Sequence, residues 1–185
     1  DVGYQMSDWK LLNTSTASGA SSVEFTDLTG YKIFKFAFID VHANTDAAYF
    51  QWQGSINGGS SYGVTWTTTY FYAGHAEDDS PAELAYAASY DQAQTTNFQY
   101  LHDTLEDHAD ASLCGELFLY NPASTTYVKH YYSRCQAMFQ YSPTGSGDVY
   151  TAGYFNDTND VDACQFKMSS GNFDGVIKQY GLVAS

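Results

Sequence analysis

The chain has 185 residues, 44% apolar, 17% aromatic and 15% charged, and sets seven Lys and Arg against 21 Asp and Glu for a net charge of −14. Few charges and many aromatics exclude a disordered chain, and this length suffices for one domain with a full core. No run approaches the roughly 18 apolar residues of a membrane span, and the acid excess repels phosphate backbones and anionic lipid, so neither membrane insertion nor nucleic-acid binding is expected.

The chain opens Asp1-Val2-Gly3-Tyr4 with no initiator Met and no basic-then-apolar leader, so either a processed end or a preceding segment is expected. Its 17 Tyr and 12 Phe favour strands. Val23, Phe25 and Leu28 open the first clear strand signal. From Lys32 to Val41, Phe34, Phe36 and Phe38 alternate with Ile33, Ala37 and Ile39, which predicts a central strand covered on both faces. Ala48, Phe50 and Trp52 alternate with polar residues up to Asn57-Gly58-Gly59. Glycine supplies positive φ there, which predicts a hairpin into Tyr62–Tyr72 with Tyr62, Val64, Trp66, Thr68, Tyr70 and Tyr72 on one face.

Gly74 to Ala111 is acidic, holds Pro81 and has no sustained period, which predicts long loops with short strands. Within it, Glu83–Ala88 suits a helical turn or a short edge strand. Strand signals resume at Leu113–Tyr120, ended by Asn121-Pro122, and at Thr125–Tyr132, with Cys135–Tyr141 continuing past a bulge. A loop at Pro143–Gly147 precedes Val149–Phe155, Ala163–Met168 and Val176–Leu182. Roughly ten strands without a helical period imply an all-β chain, one domain over 1–185: an antiparallel β-sandwich, jelly-roll-like.

Between Lys35 and Lys129 there is no Lys or Arg, while twelve acids fall in that stretch. Solubility and resistance to self-association account for such an excess. No G-x-S-x-G nucleophile or helical His pair is present, and His42, His75, His102, His108 and His130 are expected in loops or on sheet surfaces. Asp103, Glu106, Asp107 and Asp110 form one acidic group, and Asp157, Asp160 and Asp162 another. Crowded carboxylates are a Ca²⁺ chemistry, but neither group has the spaced ligand pattern, so solvated loops are expected and no metal or cofactor. No acid–base pair is assignable, and no enzymatic activity is expected. Trp52, Trp66, Tyr70-Phe71-Tyr72 and Tyr131-Tyr132 sit at strand alternation, where core packing and subunit contacts outweigh sugar stacking. Cys114, Cys135 and Cys164 make no framework and no C-x-x-C pair.

Several segments together resemble a known family: Ser22–Thr26, Tyr31–His42, Gly115–Leu119, Asn121–His130 and above all Phe166–Gly181, with its S-S-G-N-x-x-G-x-I-x-x-Y-G pattern. The chain is similar along nearly its whole length to virion structural proteins of tailed phages of marine bacteria and cyanobacteria, of the tail-fibre or head-decoration type. The resemblance implies a component of the virion exterior, assembled in the host cytoplasm, whose partners are other virion proteins. It also implies a homo-oligomer, with three-fold symmetry by fibre precedent. A reducing cytosol implies three free thiols of limited exposure. The alternative is a carbohydrate-binding adhesin module that recognises a host-surface glycan.

Overall fold

The computed structural model describes residues 8–80, 82–139 and 144–182. Its thirteen strands are β1 (Trp9–Ala20), β2 (Val23–Phe25), β3 (Ile33–Ala43), β4 (Ala48–Ser55), β5 (Trp66–Ala76), β6 (Ala82–Tyr86), β7 (Ala93–Thr95), β8 (Gln99–Leu105), β9 (Leu113–Tyr120), β10 (Lys129–Phe139), β11 (Gly145–Phe155), β12 (Ala163–Met168) and β13 (Phe173–Leu182). No helix occurs among the described residues. One sheet has nine strands in the order β1-β13-β3-β9-β10-β11-β5-β6, with β7 also on β5; the other has four, β2-β12-β4-β8.

Set β5–β7 and β10–β11 aside, and the chain alternates between sheets at every step but one, β4 to β8, which pair as neighbours in the four-stranded sheet. The first strand then pairs with the last and the second with the one before it, antiparallel throughout. That is the wound-up double hairpin of a jelly roll, in which both sheets bury one face against the other. The set-aside strands all join one sheet, so that sheet extends past the narrower one.

Between the sheets Phe166 lies within 5.2 Å of Phe36 and Phe38 and within 6.2 Å of Phe25 and Trp52, measured between ring centroids. Trp52 continues the cluster to Trp66 at 5.4 Å and Tyr131 at 4.6 Å. Phe34, Phe36 and Phe38 are buried as their alternation requires. The opposite side of β3 differs from expectation. Ile39 is 37% exposed and Ile33 half-buried, because among the described residues no third layer covers the nine-stranded sheet.

The glycine turn also has another role than the expected one. Gly58 and Gly59 do adopt φ of 69° and 81°, but β4 and β5 do not pair: they lie in opposite sheets. The turn crosses the sandwich, and Trp52 and Trp66 meet across it, their rings tilted by 59°, rather than side by side in one sheet. β1 was not anticipated, β6, β7 and β8 are short strands within Gly74–Ala111 as expected there, and Thr125–Tyr132 and Cys135–Tyr141 merge into the unbulged β10. Gly145–Gly147 begin β11 rather than form a loop. Asp1–Tyr4, Pro81, Tyr141 and Pro143 lie outside the described residues.

A lysine holds the loop after β11. Lys129 is fully buried, and its ammonium donates to the carbonyl of Asp157 at 3.0 Å and to that of Asn159. Burial pushes its pKa down, against the pull of Asp157 and Asp160. Lys129→Met keeps the stem but strands both carbonyls, at a cost of about 1–3 kcal/mol. Denaturant unfolding checks this, and an unchanged midpoint contradicts the role.

Candidate functional site

The uncovered face of the nine-stranded sheet is built from side chains brought into register by pairing, not by proximity in sequence. One row crosses it as Leu11, Tyr180, Lys35, Phe118, Tyr132 and Ala152. The next runs Lys178, Ala37, Glu116, Arg134, Tyr150, Phe71 and Tyr86, one residue from each of seven adjacent strands. A third places Cys114, Gln136, Asp148, Ala73 and Leu84 beside them.

The rings on this face hold one another and the cations. Phe71 stacks on Tyr150 at 4.9 Å with planes 1° apart, and Phe118 stacks on Tyr132 at 5.0 Å. Lys35 Nζ lies 5.3 Å from the Trp9 ring, 5.4 Å from Tyr180 and 6.0 Å from Phe118. The Arg134 guanidinium donates through Nε and Nη2 to Asp148, with Nη2 to Oδ2 at 2.7 Å, and sits 5.1 Å from the Tyr150 ring. A fork-on-carboxylate pair that also lies against a ring is pre-ordered, so little side-chain entropy remains to be lost on contact.

Apolar side chains stay open here. Leu11 is 49% exposed, Tyr132 45%, Tyr86 57% and Leu84 76%. The three rows carry Lys35, Lys178 and Arg134 against Glu116 and Asp148, whereas the chain carries seven cations against 21 acids. The acid excess therefore lies on the rest of the molecule. Seven strands at about 4.8 Å spacing and three rows about 6.8 Å apart make a patch on the order of 29 Å by 14 Å before its borders are counted.

The inner face of the same sheet is polar where the narrow sheet ends. Thr68 donates to Gln99 at 2.5 Å, and Ser133 and Thr151 hydroxyls bond at 2.7 Å. Tyr70 donates to Asp103 Oδ1 at 2.7 Å and Tyr72 to Glu83 Oε1 at 2.8 Å. Burial first, then the Asp103 charge, raises the Tyr70 phenol, and the Glu83 bond raises that of Tyr72, so both stay donors. A cleft of about 190 Å³ lies beside them, lined in part by His102, Asp103 and Thr104.

The anticipated chemistry-bearing residues are scattered. Trp52 and Trp66 are fully buried, so neither presents a ring to a ligand, whereas Phe71 and Tyr132 are exposed. His102 is not on a surface but 3% exposed, its Nδ1 2.5 Å from the Asp103 carbonyl oxygen, because a bulge turns it inward. His42 Nδ1 bonds the Ala111 carbonyl at 2.7 Å, His75 pairs with Asp79 at 3.0 Å, and His130 lies 6.1 Å from the Tyr154 ring. The acidic groups are not merely solvated: Asp103 lies within β8 and accepts from Tyr70, Glu106 is buried just past its end, and Asp162 accepts from the Gly58 amide at 2.9 Å. Among the described residues no three His, Cys, Asp or Glu side chains converge on a metal position. All three cysteines are free thiols, but Cys114 is exposed rather than sheltered, since its position on β9 falls on the uncovered face.

Glu106 is the titratable outlier. Burial, then a hydrogen bond and the charge of Asp46, push it up to about 7 from an ordinary 4.5, against the pull of His108. A carboxyl that holds its proton more tightly when folded stabilises fully below about pH 4.5, and that support is lost as pH rises through about 7. Glu106→Gln should therefore raise the melting temperature at pH 8 and leave it unchanged near pH 4.5. An equal shift at both pH values contradicts the pair.

The sequence pattern offers Tyr70-Phe71-Tyr72 and Tyr131-Tyr132 for packing or subunit contacts, and Phe71 and Tyr132 lie on this face; it does not single out Arg134, Asp148 and Tyr150, which the register sets beside them. Comparison of the chain with protein families, with curated proteins and with solved structures finds no match.

Proposed function

We propose that this chain is a non-enzymatic structural protein of the exterior of a tailed-phage virion, joined to neighbouring protein, copies of itself first, through the uncovered face of its nine-stranded sheet. The observation that carries the reading is the contrast between that face and the rest of the molecule. An open aromatic patch with paired, pre-ordered cations is the composition of an interface centre, rich in Tyr, Trp, Phe and Arg. Everywhere else an acid-rich surface keeps copies apart, so approach is favoured through one face only.

The virion assignment rests on the similar segments, with Phe166–Gly181 foremost. The exterior position rests on charge: packaged DNA repels a chain of net charge −14. Antibodies against the folded chain test it on purified particles. They should decorate intact particles; binding only after the particles are opened, or no binding to either, overturns the assignment.

A further inference from the structure

The cleft at the end of β8 is a second, separate feature, on the opposite face of the wide sheet from the proposed interface. Its geometry starts with a bulge. Pairing of β4 with β8 slips on either side of Phe50, which opposes His102, and Thr104 takes φ of 47°. A β-branched residue in that region is rare and strained. The bulge turns His102, Asp103 and Thr104 together toward the cleft.

The floor is a cross-strand glycine pair, Gly74 opposite Gly147. Side chains there would fill the recess: a Cβ on Gly147 would meet His102 Nε2 at 3.2 Å and Phe139 at 3.4 Å. Tyr72, Phe139 and Val149 give the recess its apolar walls. Two carboxylates face it, from β6 and β8. Each uses one oxygen for a tyrosine hydroxyl, Glu83 for Tyr72 and Asp103 for Tyr70, and among the described residues no donor bonds the second oxygen of either. His102 faces them with Nδ1 3.9 Å from Asp103 Oδ1; its ring nitrogens lie against the backbone carbonyls of Asp103 and, at 3.4 Å, Gly147, and a neutral ring donates to one of the two. Among the described residues no Lys or Arg lines the cleft.

Size and charge select the ligand. A volume of about 190 Å³ holds roughly six waters, which excludes nucleotides and oligosaccharides and admits a stem of about five to seven heavy atoms. A neutral polyol would close over two carboxylates and leave their charge uncompensated in a half-dry recess, which is costly. A cation compensates both, and the aromatic walls attract it further. We propose that this cleft binds a primary alkylammonium group, its nitrogen between the spare oxygens of Glu83 and Asp103 and its methylene stem on the glycine floor against Tyr72 and Phe139.

The source of the amine is a free diamine or a lysine side chain, and two probes separate them. Purified protein is titrated with 1,5-diaminopentane and with Nα-acetyl-lysine methylamide, and the Tyr72 and His102 ring resonances are followed by NMR. At least one amine should shift both saturably, more weakly as salt rises, and the tighter of the two identifies the source. The matched alcohol, 1-pentanol, should not. Glu83→Gln and Asp103→Asn, which keep an oxygen for the tyrosines, should each weaken binding about tenfold or more. Gly74→Ala is the second control: its Cβ would sit 3.9 Å from Glu83 and Phe139, ordinary contact, so the protein folds while the floor is raised and binding is lost. Pentanol binding as tightly as the amines, no saturable shift with either amine, or undiminished binding by the Gly74→Ala protein overturns the proposal. None of these outcomes depends on assembly through the other face.

Discussion

Phe166→Ala will destabilise the fold by about 3–5 kcal/mol, the range for a large aromatic removed from a core that cannot collapse around the gap. The ring sits on β12, central in the four-stranded sheet, and is fully buried. It stacks nearly parallel to Trp52, planes 15° apart, and to Phe50 at 20°, while Phe36 and Phe38 approach it from the facing sheet. Its loss therefore removes contact between the sheets and within one of them at once. Phe36→Ala, from the opposite side of the same cluster, falls in the same range. A domain of this kind has roughly 5–15 kcal/mol in all, so either variant should shift the denaturant midpoint strongly. A loss below about 1 kcal/mol for Phe166→Ala contradicts the packing described.

Arg134→Glu will have the largest effect on association. The guanidinium is 61% exposed at its side chain, yet fixed by Asp148 and by the Tyr150 ring. The substitution sets a third acid beside Glu116 and Asp148 and turns the one near-neutral face into another acidic one. Residues of this kind at interface centres contribute about 2 kcal/mol or more, so self-association should weaken by roughly 30-fold or more. Sedimentation at several concentrations measures it. Glu77→Lys, at the turn after β5 and off this face, should leave association as it was. Opposite shifts of similar size, weaker association for Arg134→Glu at net −16 and tighter for Glu77→Lys at net −12, point to net charge alone and contradict a dedicated face.

Much of the sandwich is legible in the residues. Leu113–Tyr120 and Ala163–Met168 are strands at the expected bounds, and Phe34, Phe36 and Phe38 do share a buried face. Where burial is polar, the signal fails. In β8 the buried positions include Gln99, His102 and Thr104, with Gln99 held by Thr68 and by backbone and His102 against backbone carbonyls, so hydrophobic alternation never appears. In β1 the stretch Asn13 to Ser18 is short and polar because β1 is an edge strand whose stability comes from its ladder with β13. Alternation also cannot say what lies opposite a face. Ile33, Ala37 and Ile39 look like a second core side, but only the count of layers decides between core and open surface.

The two candidate sites show the same limit more sharply. The seven residues of the Arg134 row come from seven strands spread from Ala37 to Lys178, and only the register aligns them. The cleft depends on a one-residue slip in β8 and on Gly74 falling opposite Gly147, neither of which any local pattern announces.

The most direct test of the assembly reading is a map of the purified particle in which this chain can be traced. The account predicts the chain on the outside, with Phe118, Tyr132, Arg134, Tyr150 and Phe71 packed on neighbouring protein across a contact of about 1,200–2,000 Å². A chain whose nine-stranded sheet faces solvent, with its contacts made elsewhere, or one lying inside the head against DNA, contradicts it.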